Sequence, residues 1–184
     1  MSEHRSEKSI TAPWHVPVAV EDIAEDGQHF ALVADPNVRA DIARIAGLRD
    51  LPRLEADFSL TRQGGGVHVI GRVSATAGQN CVVSLEPLAN EIEEDVDLLF
   101  IPKTAAEVSA AEAETDRTDS KLDGPEPLVG GVVDLGAIAT EFLILGLDPY
   151  PRKAGVVFEP PQDLTPDGGP FAALAGWSKD GNDR

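Results

Sequence analysis

The chain has 184 residues, enough for one domain with a core of its own plus tails. Its 32 acidic and 15 basic residues leave a formal charge of −17. The overall field therefore repels phosphate backbones and anionic membranes and attracts basic partners. With 42% hydrophobic and 5% aromatic residues, 17 Gly and 14 Pro, a good part of the chain is expected to be loop or disordered.

Residues 1–12 read as a solvated, disordered tail. They contain no apolar run of the kind a secretory signal needs, and no stretch of the chain approaches the ~20 apolar residues of a membrane span. The single cysteine, Cys81, cannot form an internal disulfide. These features predict a cytoplasmic protein.

PWHVPVAV, residues 13–20, is expected to be extended, because Pro13 and Pro17 both oppose a helix. A first helix begins at Asp35, a good N-cap, with Pro36 at the first helical position. Val38, Ile42 and Ile45 form its apolar stripe, and Gly47 followed by Leu48 ends it. Arg39 and Arg44 fall off that stripe and are expected to be solvated.

Leu54, Ala56, Phe58 and Leu60 alternate with Glu55, Asp57, Ser59 and Thr61, the period of a half-buried strand. RQGGG reverses the chain, and Val67, Val69, Val73 and Ala75 then share one face. Pairing Arg62 with Val67 sets Leu60 against Val69 and Phe58 over Gly71. It also sets Asp57 opposite Arg72, an attractive cross-strand pair. GQN, residues 78–80, is expected to turn the chain again, which would put Cys81, Val83 and Leu85 on the inner face with Val73, Ala75 and Ala77.

In the next strand Ile92, Val96, Leu98 and Phe100 share a face interrupted by Glu94. Glu91, Glu93, Asp95 and Asp97 share the other. Four like charges there make either a solvated, aggregation-resistant face or a docking surface for a basic partner. Residues 103–127 are rich in Ala, Glu, Asp, Ser and Thr and read as a long, disordered acidic insertion.

Asp134 is expected to cap a second helix carrying Leu135, Ile138, Phe142 and Leu145. Leu143 and Ile144 widen its stripe, so burial on more than one side is expected. Gly146 and Asp148-Pro149 end it. AGVVFEPP, residues 154–161, reads as a last short strand, and PFAALAGW, residues 170–177, as a short apolar turn. The expected organisation is one domain over 13–158 and a mostly irregular tail over 159–184. The expected fold is α+β, a mostly antiparallel sheet of about four to six strands with two main helices and the long acidic loop.

Catalytic signatures are missing. There is no Walker loop, dinucleotide fingerprint or Gly-x-Ser-x-Gly elbow, and His4, His15, His29 and His68 are scattered. We assign no catalytic residue, no metal ligand and no cofactor, and read the chain as not an enzyme. For Cys81 three roles compete: part of a metal site, a reactive thiol, or a core residue. In an extended strand Cys81 and Ser84 point to opposite faces and would reach one metal only if the chain turned sharply between them. The acidic surroundings disfavour a reactive thiol. Cys81 is therefore expected to be a small buried apolar residue.

The succession of CVVSLEPL, an acidic strand, VDLGAIATEFLILGLDPYPR and PFAAL resembles the YceD family, the large ribosomal RNA subunit accumulation proteins of bacteria and plastids. The resemblance covers roughly residues 14–175. Many members look like Cys-x-x-Cys-Leu-x-Pro at the first motif. Here Cys81, Leu85, Glu86 and Pro87 match it, and Ser84 stands where the second cysteine would be. That departure removes the case for a metal on this chain. Asp134, Leu135 and the stretch Pro149, Tyr150, Pro151 look like the second motif, and Phe171 like the third.

The resemblance implies a role in accumulation or processing of large-subunit rRNA, linked with large-subunit ribosomal proteins, and no established enzymatic activity. Three readings follow. One is a non-enzymatic ribosome-biogenesis factor acting on basic ribosomal proteins or rRNA-processing factors through Glu91–Asp97 and the 103–127 segment. Another is a direct rRNA-binding module using Arg39, Arg44, Arg49, Arg53, Arg152 and Lys153. The last is a metal-dependent nuclease built from carboxylates.

Overall fold

The computed structural model describes residues 13–104 and 124–158. The 1–12 tail, residues 105–123 of the insertion and the 159–184 segment with Phe171 lie outside the described residues. The chain divides into two compact units, Met1–Lys153 and Ala154–Arg184. In the second, residues 154–158 form neither strand nor helix, so over them the expected last strand is not formed.

The first unit runs β1 (Pro17–Ala19), a 3-10 turn (Val20–Asp22), β2 (Gln28–Val33), α1 (Pro36–Ala46), β3 (Asp50–Gln63), β4 (Gly66–Asn80), β5 (Pro87–Pro102), β6 (Glu126–Leu128), β7 (Val132–Asp134) and α2 (Leu135–Leu145). Five strands form one sheet in the order β2-β3-β4-β5-β6, and β1 pairs with β7 in a separate ribbon. All pairings are antiparallel except β5 with β6. The architecture is α+β, as expected. The extended stretch at 13–20 narrows to a three-residue strand, and β2 had no counterpart among the expected elements.

The β3–β4 hairpin has the register read from the sequence: Arg62 faces Val67, Leu60 faces Val69, Phe58 faces Gly71 and Asp57 faces Arg72. Phe58 is fully buried, and it continues an inner row from Phe30 through Gly71 to Val96. A methyl group at Gly71 would collide with the Asp57 carbonyl oxygen and come within 2.7 Å of Phe58 Cδ1. The glycine is what lets the ring lie down on the neighbouring strand.

Both helices are placed by their caps. Asp35 accepts hydrogen bonds from the amides of Asn37 and Val38, at 2.8 and 3.2 Å. Gly47 ends α1 in the left-handed conformation, φ 67°, and the Leu48 amide donates back to the Ala43 carbonyl. The buried side of α1 runs through Ile42 and Ala43, and Ile45 is exposed. Arg39 is half-buried, since it lies nearer that side than the stripe implied, and Arg44 is exposed.

In α2, Leu135, Ile138, Ala139 and Leu143 are buried together with Thr140, whose hydroxyl donates to the Gly136 carbonyl. Phe142 is half-buried, and Ile144 and Leu145 are exposed. The expected placement of Leu145 inside is thus corrected. Its place on the stripe is set by spacing, but no described strand covers the last turn on that side.

The inner faces of the strands, both helices, Trp14 and Ile23 join in one core. Burying each large side chain contributes about 1.5–3 kcal/mol, whereas an exposed ion pair contributes at most about 1. The apolar face therefore holds the sheet together, and the charged outer face is free to serve another purpose.

The second turn was misplaced. β4 continues through 78–80, and the chain reverses over 81–86, where the Cys81 amide donates to the Glu86 carbonyl and the Leu85 amide to the Cys81 carbonyl. Cys81 is buried, but Leu85 is 76% exposed with φ 60°, so the two do not share an inner face. Of the 103–127 segment, Glu126 and Pro127 are ordered in β6.

Candidate functional site

The outer face of β5 carries the four expected acids, all exposed. They do not stand opposite bare backbone. Arg53 on β3 donates to Glu91 at 2.7 Å, and the Thr76 hydroxyl to the same carboxylate at 2.8 Å. Arg72 on β4 donates to Asp95 at 2.8 Å and lies 4.0 Å from Glu93, and His68 is 2.6 Å from Asp97. The Thr76 hydroxyl first, then the hydrogen bond and charge of Arg53, hold the Glu91 carboxyl below its ordinary range. The Asp57–Arg72 pairing is corrected in detail. The two residues are opposite, but Arg72 turns to β5 and Asp57 meets His29 on β2 at 2.6 Å.

Counting this face, Glu55, Asp57, Glu91, Glu93, Asp95 and Asp97 stand against Arg53 and Arg72. Six negative and two positive charges leave a formal excess of four negative among the carboxylates and arginines. The result is a ladder of partly matched acids. Exposed pairs of this kind are held weakly, so an incoming cation can displace an arginine at small cost.

The basic residues named from the sequence do not form one patch. Arg39, Arg44 and Arg49 line a groove of about 420 Å³ between α1 and the start of β3. Arg44 is engaged by Asp41 and Arg49 by Asp50, each at 3.0 Å. Arg53 belongs to the acid ladder instead. Lys153 is drawn to Glu86 at 3.0 Å.

The first and second motifs meet at the 81–86 turn. The Val82 amide donates to the Pro151 carbonyl, and the amides of Lys153 and Ser84 each point at Cys81 Sγ from 3.4 Å. The chain does turn sharply between Cys81 and Ser84. The Lys153 amide first, then the Ser84 hydroxyl and amide, stabilise the thiolate against the opposing effect of burial and lower the Cys81 pKa to about 6. Burial of Cys81 was expected, but its acidity was not. The partner lies 72 residues away, and no local signal announces it. Pro87 starts β5 on the exposed side, while Pro149 and Tyr150 are exposed and Pro151 is buried.

Thiolate absorbance of the intact protein is expected to titrate near pH 6, against 9.0 for a free thiol. A thiol whose folded pKa is depressed adds stability that is fully present above pH 9.0 and lost as the pH falls through about 6. Cys81→Ser should flatten the pH dependence of the melting temperature over that window. An unchanged slope would show that the two amides do not act on the sulfur.

Asp134 works elsewhere. Its Oδ1 accepts from the amides of Val16, Gly136 and Ala137 at 2.9, 3.0 and 3.1 Å, and Oδ2 lies 2.6 Å from His15. It is the cap of α2 and the clasp that holds the segment before β1. Leu135 beside it is fully buried. Among the described residues no three histidine, cysteine or carboxylate side chains converge as metal ligands. No helix among them is long and apolar enough to cross a membrane.

No curated protein and no solved structure matches the chain significantly. One family does, over residues 69–170, more than half of the chain. The match takes in β4 from Val69, the Cys81 turn, the acid ladder on β5 and all of α2. This chain belongs to the YceD family, the large ribosomal RNA subunit accumulation proteins.

Proposed function

We propose that the protein supports accumulation of large-subunit rRNA without bond-making chemistry of its own, by engaging basic large-subunit ribosomal proteins or processing factors on the outer face of its sheet. The observation that carries this is the excess of four negative charges on the exposed ladder of β3, β4 and β5, in a chain whose total charge is −17. Such a field raises the encounter rate with a cationic partner, and lightly held pairs exchange readily. The family supplies the rRNA link. The acidic residues of 105–123 are a second candidate contact by composition alone.

Affinity capture from nuclease-treated lysate tests the proposal. Wild-type protein should retain large-subunit ribosomal proteins. A variant with Glu91→Gln, Glu93→Gln, Asp95→Asn and Asp97→Asn should lose about tenfold or more of that capture, and the loss should be mimicked by raised salt. Equal capture by the variant overturns the assignment of the face. The direct rRNA-binding reading predicts instead a gel shift with large-subunit rRNA fragments that disappears on Arg39→Ala and Arg44→Ala.

A further inference from the structure

The sheet's outer face is charged, but the described surface also holds an apolar groove of about 570 Å³ between α2 and the end of the sheet. Leu98 and Phe100 of β5 form one wall, with Ile138, Phe142 and Leu145 of α2 facing them. Leu145 is 68% exposed and adjoins the half-buried Phe142, Leu98 and Phe100, so these side chains offer one contiguous apolar surface to solvent. Glu126 and Glu141 stand on the rim, and neither makes an ion pair among the described residues. No Lys or Arg lines the groove.

An apolar floor with two rim carboxylates that pair with no described cation, and with Asp134 also lining it, matches a helix that has an apolar stripe flanked by cations. We infer that this groove is the seat for a cationic amphipathic helix of a protein partner. The inference rests on the proposed function and names a second contact for it. The acid ladder captures by charge, and the groove adds the short-range selection that charge does not provide. An acidic helix is disfavoured at the same place by Glu126 and Glu141. The chain's own 105–123 insertion is a poor occupant on that ground, because it is itself rich in Glu and Asp.

The test uses the full-length chain and two labelled synthetic peptides of equal positive charge, followed by fluorescence anisotropy. One peptide is a leucine/lysine helix with its leucines on one face, and the other is a lysine/glycine chain with no apolar face. The amphipathic peptide should bind about tenfold more tightly than the control. Leu145→Glu and Glu141→Lys should each weaken it by about tenfold, whereas Ile144→Glu, on the same helix but outside the groove, should not.

Equal binding of the two peptides would overturn the inference, and so would equal loss in Leu145→Glu and Ile144→Glu. Removal of residues 105–123 should leave the affinity unchanged; a tenfold gain would mark the insertion as the groove's occupant and also overturn it. Retained capture of ribosomal proteins by Leu145→Glu, together with failure of the wild-type chain to prefer the amphipathic peptide, would remove the groove alone. Failed capture by the wild-type chain would remove the function on which it rests.

Discussion

Valine at position 71 should unfold the sheet from its centre, lowering the melting temperature by about 10 °C. The added side chain meets the Asp57 carbonyl oxygen and the Phe58 ring at once, and the first of these is backbone. Relief requires parting β3 from β4, the central strand of the sheet. Overpacking of this kind costs about 3 kcal/mol, and each kcal/mol moves the midpoint by roughly 2–4 °C in a domain of this size. Phe58→Ala should cost a similar 3–5 kcal/mol or so by leaving a cavity.

The pair also makes a sharper check. In the Phe58→Ala background, Gly71→Ala should be milder than in wild type, since the ring no longer blocks the methyl group, although the Asp57 carbonyl remains. Calorimetric melting of the four chains measures this coupling. Strict additivity would mean that ring and glycine do not meet.

Asp134→Ala should lower stability by about 2–3 kcal/mol, since it removes the α2 cap and leaves the Val16 amide without its acceptor. Asp134→Asn keeps an acceptor oxygen and should lose less. The effect depends on pH. Partial burial opposes ionisation of Asp134. The Val16 amide, His15 and the Ala137 amide outweigh it, so the carboxyl titrates below its ordinary value of 3.8. A depressed carboxyl adds stability that is fully present above the unfolded pKa and lost as the pH falls through the folded one. The wild type should therefore lose stability in acid below about pH 4 faster than Asp134→Ala does. Parallel acid-denaturation curves would show that the clasp is not ionised in the folded protein.

What the sequence told in advance followed from short-range chemistry. The β3–β4 register was legible because two faces had to agree at once, Phe58 over Gly71 inside and Asp57 against Arg72 outside. Both helix caps were legible because Asp35 and Asp134 act on amides two and three residues away. β2 was missed because six residues with only Phe30 and Leu32 turned inward give a weak alternation.

The turn was misplaced because Gly78-Gln79-Asn80 has loop composition. The sheet tolerates it, with Gly78 set close against the Asp50 carboxylate, which any larger residue there would have to displace. That error hid the β4–β5 register, and with it the pairing of Arg72 with Asp95 and His68 with Asp97. The acids of the candidate face were found by alternation alone. Their partners were not, because a partner on a neighbouring strand is visible only once the register is known. The Cys81–Lys153 contact and the exposed Leu145 depend on which segments happen to pass nearby, and no pattern within either segment encodes that.

The parallel pairing of β6 on β5 has a practical corollary. The chain leaves the sheet after Pro102 and returns beside the same strand end, with Glu126 opposite Phe100 and Leu128 opposite Pro102. Both ends of the connection are thus anchored side by side by the sheet itself. A tag spliced between these anchors is expected to leave the β5–β6 pairing in place, and an unchanged circular dichroism spectrum and melting temperature of the tagged chain would check it.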